Sequence, residues 1–112
     1  MSDIVPRITF RHMDHSALLE ENVLKNLEKI MKYLESEPTP IHVDVVFDNN
    51  SLHPTSRVEL LIKSPNYDLM AHAEGPDMYQ LIDQVIHKID AELRREKKRI
   101  KNPIHNKSHH RP

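Results

Sequence analysis

The chain has no cysteine, no tryptophan and one glycine in 112 residues. Without cysteine there is no disulfide, thiolate metal site or cysteine nucleophile, and nothing points to an oxidising compartment. A single glycine excludes a glycine-rich phosphate loop. Tyr33, Tyr67, Tyr79, Phe10 and Phe47 are too few and too scattered for a base-stacking platform. No apolar run approaches the roughly 20 residues that span a bilayer, and "MSDIVPRITF" has neither the basic start nor the apolar core of a signal peptide. The expectation is a cytoplasmic protein with no membrane partner, and a length that fits one domain.

Catalytic and metal patterns are also missing. No serine sits in a nucleophile elbow, and Asp83 and Asp90, seven apart on a helix, do not form a paired acid and base. Nine histidines are many, but none has ligand spacing with carboxylate or thiolate support. His42 and His72 fall on the open faces of strands and read as polar filler. We therefore expect no enzyme, no cofactor and no structural metal. Adventitious metal uptake by the tail histidines, His105, His109 and His110, is a separate reading that truncation after Pro103 would test.

What is present is charge of both signs, unevenly placed. Residues 1–90 hold 8 Lys and Arg against 15 Asp and Glu, and residues 91–112 hold 8 against 2, so a net charge of −1 conceals an acidic body with a basic end. That asymmetry suits a polyanionic partner, and it equally suits a helix ending in solvated lysines that complement its dipole.

Hydrophobic periodicity divides the chain. "RITFR", residues 7–11, alternates as a strand with Ile8 and Phe10 inward. From Ser16, a plausible N-cap, Leu18, Val23, Leu27, Ile30 and Leu34 recur at helical spacing, widened by Leu24 and Met31, until "EPTP" stops the helix near Glu35. "IHVDVVFD" (41–48) directs Ile41, Val43, Val45 and Phe47 inward, and "RVELLIK" (57–63) does the same with Val58, Leu60 and Ile62. "SPN" is a hairpin turn into a strand over 67–73 with Leu69, Ala71 and Ala73 inward. After Gly75, Met78, Leu81, Ile82, Val85, Ile86, Ile89, Leu93 and Ile100 mark one side of a long helix ending near Asn102. Gly75 supplies the positive φ or close approach that a sharp strand-to-helix turn needs, with Asp77 as cap and Gln80 able to complete a capping box.

The order β-α-β-β-β-α, with two apolar helix stripes and one apolar sheet face, predicts an α+β two-layer sandwich with both helices on one side of a four-stranded sheet. Residues 1–102 form the domain. Residues 103–112 have no periodicity and read as a disordered, basic, histidine-rich tail.

On a helical projection Arg95 and Arg99 fall within about 20° of Lys88, while Lys98, Arg94 and Lys101 extend the positive surface through roughly −80° to −140°, away from the apolar stripe. Lys25, Lys29 and Lys32 are mutual i+3 and i+4 neighbours on the first helix. Such ladders can neutralise a phosphate backbone, with affinity that falls steeply with salt.

The segment "AHAEGPDMYQLIDQVIHKIDAELRREKKRIK" resembles the ribosome hibernation-promoting and ribosome-associated inhibitor family, also called sigma-factor modulation proteins. The resemblance is carried by Ala73, Glu74, Gly75, Asp77, Met78, Tyr79, Ile82, Asp83 and Lys88, and more weakly by "LEKIMKYLE". It implies the same fold, similar to a double-stranded RNA-binding domain, in a short form without the C-terminal dimerisation domain of longer members. It further implies a stress or stationary-phase factor that binds 16S rRNA of the small ribosomal subunit near the decoding centre, blocks messenger and transfer RNA sites, and in some bacteria works with a second hibernation factor on ribosome dimers. We expect a monomer off the ribosome. Lys29, Lys88, Arg95, Lys97, Arg99 and Lys101 fall where the family tends to be basic; Lys25, Lys32, Arg94 and Lys98 are added from geometry. "FDNNSLHPTS" lacks the lysine that relatives often carry near the end of the second strand. The rival reading is a protein-interaction regulator that uses the open sheet face around Val46, Leu61 and Met70.

Overall fold

The computed structural model describes residues 4–49 and 55–101, with side chains described as far as Lys98. Along the chain run β1 (Arg7–Arg11), α1 (Ala17–Leu34), β2 (His42–Asp48), β3 (Ser56–Lys63), β4 (Asp68–Gly75) and α2 (Met78–Lys101). The strands form one sheet in the order β1-β2-β3-β4. β1 lies parallel to β2, a pairing that requires the α1 crossover, and the other two pairings are antiparallel. This is the expected two-layer α+β sandwich.

Register follows from alternation, because a one-residue slip would turn every apolar side chain to solvent. Ile8, Val45, Leu60 and Ala71 line up across the sheet, as do Phe10, Phe47, Val58 and Ala73. Phe10 stacks on Phe47 with ring centroids 5.1 Å apart. The two alanines of β4 leave room where α2 packs on β4 and β3, and α1 packs beside α2. One core results, in which Phe47, Leu27, Ile30, Leu60, Ile82, Ile89 and Leu93 are fully buried.

The α1 stripe differs from expectation at its start. Leu19, not Leu18, is buried, and the buried set Leu19, Val23, Leu27, Ile30 and Leu34 keeps strict i+4 and i+3 steps. Leu18 lies about 100° off that line and is 68 % exposed. Ser16 caps the helix as expected, its hydroxyl accepting from the Leu19 amide at 3.2 Å.

β4 begins at Asp68 and runs through Gly75. Tyr67 belongs to the hairpin turn, where its amide and carbonyl both bond to Ser64, and its ring is buried. Gly75 does not adopt positive φ. Of the two reasons available for glycine, close approach is the one that applies: a Cβ there would stand 3.2 Å from Cδ2 of Leu81. The Asp77 carboxylate then accepts from the Tyr79 amide at 3.0 Å and starts α2. The side chain of Ile100 and the tail at 103–112 lie outside the described residues.

Candidate nucleic-acid interface

Two side chains connect the helices and show their relative direction. Lys29 of α1 reaches Asp90 of α2, and Lys97 of α2 reaches Tyr33 of α1. The contacts advance together along both helices, so α1 and α2 run in the same direction. The basic side of α2 is thereby divided into two flanks. One faces the seam with α1; the other overhangs β4, the edge strand.

The seam centres on Asp90, whose carboxylate is buried although the residue is charged. Its Oδ2 lies 3.2 Å from Arg94 Nη2 and 3.9 Å from Lys29 Nζ. Among the described residues its Oδ1 has no hydrogen-bond partner. A buried carboxylate is tolerated only where cations offset its desolvation, and here one cation comes from each helix. Both cations keep more than half of their side-chain surface exposed. One turn further, Lys97 donates to the Tyr33 carbonyl at 3.4 Å and sits 5.5 Å from the centroid of the Tyr33 ring. It thus satisfies a carbonyl in the last turn of α1, which has no partner within its own helix.

On the other flank, Lys88 Nζ donates to the His72 carbonyl at 2.9 Å, occupying an acceptor on the outer strand. Arg95 pairs with Glu92 one turn away, and that carboxylate holds the guanidinium above its ordinary pKa. Between Lys88 and the strand runs an open groove of about 480 Å³ lined by Met70, His72, His87 and Ala91.

Of the cations expected from the sequence, Lys29, Arg94 and Lys97 meet at the seam, and Lys88 and Arg95 lie on the strand-edge flank. Lys25 and Lys32 are exposed on α1 with no ion pair to any described residue. Lys98 is exposed on α2. The side chains of Arg99 and Lys101 lie outside those described. Asp90 is the residue that sequence reasoning missed. Its signal was present: Ile86, Ile89, Asp90 and Leu93 keep apolar-stripe spacing, so a carboxylate stands where a core side chain was due.

The open sheet face is charged and largely self-compensated. Arg57 bonds to Glu59 and Glu74, each at 2.8 Å, and these two contacts raise its pKa. Arg7 lies 3.8 Å from Asp44, and His12 lies 2.8 Å from Asp48. Leu61 pairs with Met70 across the strands, and Met70 is 60 % exposed. Among the described residues no group of three potential ligands could hold a metal, and no helix is long and apolar enough to cross a membrane.

The sequence matches the family described as sigma 54 modulation protein / S30EA ribosomal protein over residues 7–101, from the first strand to the end of α2. The chain belongs to this family. Its members are ribosome-associated factors, and the family is not known as one of enzymes. A ribosome hibernation promoting factor of Pseudomonas putida is 26 % identical over 92 residues, which cover 82 % of this chain and 85 % of that protein. Among solved structures, a ribosomal subunit interface protein from Coxiella burnetii is similar with a TM-score of 0.66 and 26 % identity, covering 83 % of this chain and 97 % of that one. The N-terminal domain of Thermus thermophilus Protein Y shares the fold, with a TM-score of 0.67 at 18 % identity, over 84 % of this chain and 98 % of that one. The family match and the sandwich agree on the extent of the unit: both run from β1 through α2.

Proposed function

We propose that this protein binds the small ribosomal subunit through 16S rRNA, using the basic surface of its two helices, and silences translation by occupying messenger and transfer RNA sites under stress or in stationary phase. No reaction is involved, so no catalytic residue is needed. The observation that supports this best is the convergence of Lys29 from α1 with Arg94 and Lys97 from α2 along one seam, flanked by Lys88 and Arg95. Cations on two rigid parallel helices present fixed spacing to a phosphate backbone, and a shape-reading surface needs that more than it needs base contacts. Lys25, Lys32, Lys98, Arg99 and Lys101 extend the same set. The ribosome-binding unit is residues 1–102, monomeric off the ribosome, with a second hibernation factor as its partner where ribosomes are paired.

Cosedimentation with purified small subunits tests the reading. Binding at low salt that weakens as salt rises, and that is lost on reversing Lys88 and Arg95 to glutamate, supports it. Binding that ignores those reversals and disappears instead with Met70→Asp favours a protein partner on the open sheet face, where Met70 and Leu61 form the apolar centre.

A further inference from the structure

The buried carboxylate of Asp90 is out of place on a surface meant for phosphate. It places a negative charge beneath two of the cations that would meet RNA, and one of its oxygens has no partner among the described residues. A buried polar atom left unsatisfied calls for an explanation. Helix stability does not supply it, because well-packed apolar side chains often replace buried ion pairs without loss. The neighbouring stripe positions Ile86, Ile89 and Leu93 are apolar, so an apolar residue would suit the packing at position 90.

We propose that Asp90 is a specificity-determining positioning residue for RNA: it holds Arg94 in one geometry, draws Lys29 to the same place, and partly neutralises both against any phosphate that does not fit that geometry. The inference rests on the RNA-binding reading above. The carboxylate is short and buried, so it cannot swing away when RNA arrives. Arg94 approaches it through Nη2 alone and keeps the other donors of its planar fork, and Lys29, 3.9 Å away, is drawn by charge without giving up an N–H donor. A phosphate placed to receive those donors gains one pre-oriented guanidinium and an ammonium beside it. A loosely placed phosphate on flexible RNA meets two cations already shared with a carboxylate, and is repelled by the carboxylate itself. Discrimination then comes from a built-in repulsive element as well as from attraction. The acidic balance of residues 1–90 points the same way, toward a protein that resists indiscriminate polyanion binding.

The test compares the full chain with Asp90→Asn on two RNAs at one salt concentration: purified small subunits, and an unstructured oligomer of mixed sequence. Asp90→Asn keeps the shape and removes the charge. It is expected to bind the oligomer roughly three- to tenfold tighter while binding the subunit no tighter, so the ratio of the two affinities falls. Asp90→Ala, which removes the unsatisfied oxygen as well, is expected to do the same. Affinities that rise, fall or stay unchanged together on the two RNAs overturn the inference, as does a ratio that increases. Loss of folding in both variants also overturns it, because Asp90 would then be a structural residue. If the unaltered chain fails to prefer the subunit over the oligomer, the RNA-binding reading itself is wrong, and that result is visible before any variant is made.

Discussion

The two flanks of α2 carry similar residues and do different work. At the seam, Lys29 and Arg94 share a buried carboxylate and Lys97 satisfies a carbonyl of α1, so those cations hold the helices together as well as facing solvent. At the strand edge, Lys88 and Arg95 make exposed contacts that the fold hardly needs. A cation's availability to a phosphate therefore depends on what it must leave behind. The edge flank can give up its contacts at little cost; the seam must keep Asp90 covered.

The difference can be removed altogether by undocking α2. Ile89 is fully buried beneath both flanks, and Ile89→Ala is expected to cost about 2–5 kcal/mol in urea unfolding, with RNA binding weakened on both sides at once. A loss under about 1 kcal/mol would mean that α2 is not anchored as described.

A sharper contrast comes from neutralising each flank in turn. Lys29→Gln with Arg94→Gln strands the Asp90 carboxylate and is expected to cost about 2–4 kcal/mol, less than the breaking of a fully buried pair because both cations are more than half exposed. Lys88→Gln with Arg95→Gln is expected to leave thermal unfolding unchanged while weakening small-subunit binding. Equal melting temperatures for the two double variants would erase the distinction.

Away from both flanks, Tyr67 offers a control. Burial, and then the charges of Glu37 and Glu96, push its phenol above the ordinary value of 10.0. The raised pKa means that its contribution to stability is present below the unfolded-state value and is lost as pH climbs through the folded one. Alkaline unfolding monitored by circular dichroism should show that loss, and Tyr67→Phe should reduce it without moving RNA affinity. An unchanged alkaline profile in the variant would remove Tyr67 as its source.

The smallest effect belongs to the glycine that aims α2. Since φ at Gly75 is not positive, Gly75→Ala gains from a stiffer unfolded chain and loses by crowding Leu81, leaving stability within about 0.5 kcal/mol of the parent. A loss above about 2 kcal/mol would show that Leu81 cannot yield, and that both flanks depend on that contact.

How much of this was legible in the sequence follows from which interactions are local. Strand alternation determined the inward residues Val43, Val45, Phe47, Val58, Leu60 and Ile62, and the switch to helical spacing located both helices. The stripe of α1 was misplaced at Leu18, although Leu19 alone stands one i+4 step before Val23, and at Leu24, which was expected to widen the stripe and is 38 % exposed. At Gly75 composition marked the turn, but only packing decided between φ and close approach. The basic face was legible as a set of angles on a helix. Its division was not, because Lys88 and Lys97 find their partners 16 and 64 residues away. The stripe spacing of Asp90 was legible, but its cover by Lys29 and Arg94 was not, because a projection gives a direction from the helix axis and not what packs against it.

Whether the helix layer meets the small subunit through phosphates is decided by cosedimentation over a salt series, comparing the parent chain with Lys88→Glu/Arg95→Glu. For the parent, the log of affinity is expected to fall linearly with the log of salt. The variant is expected to bind at least about tenfold more weakly, with a slope shallower by roughly 0.7–0.9 per phosphate contact removed and unchanged melting. Binding that is insensitive to both salt and charge reversal would contradict contact through phosphates.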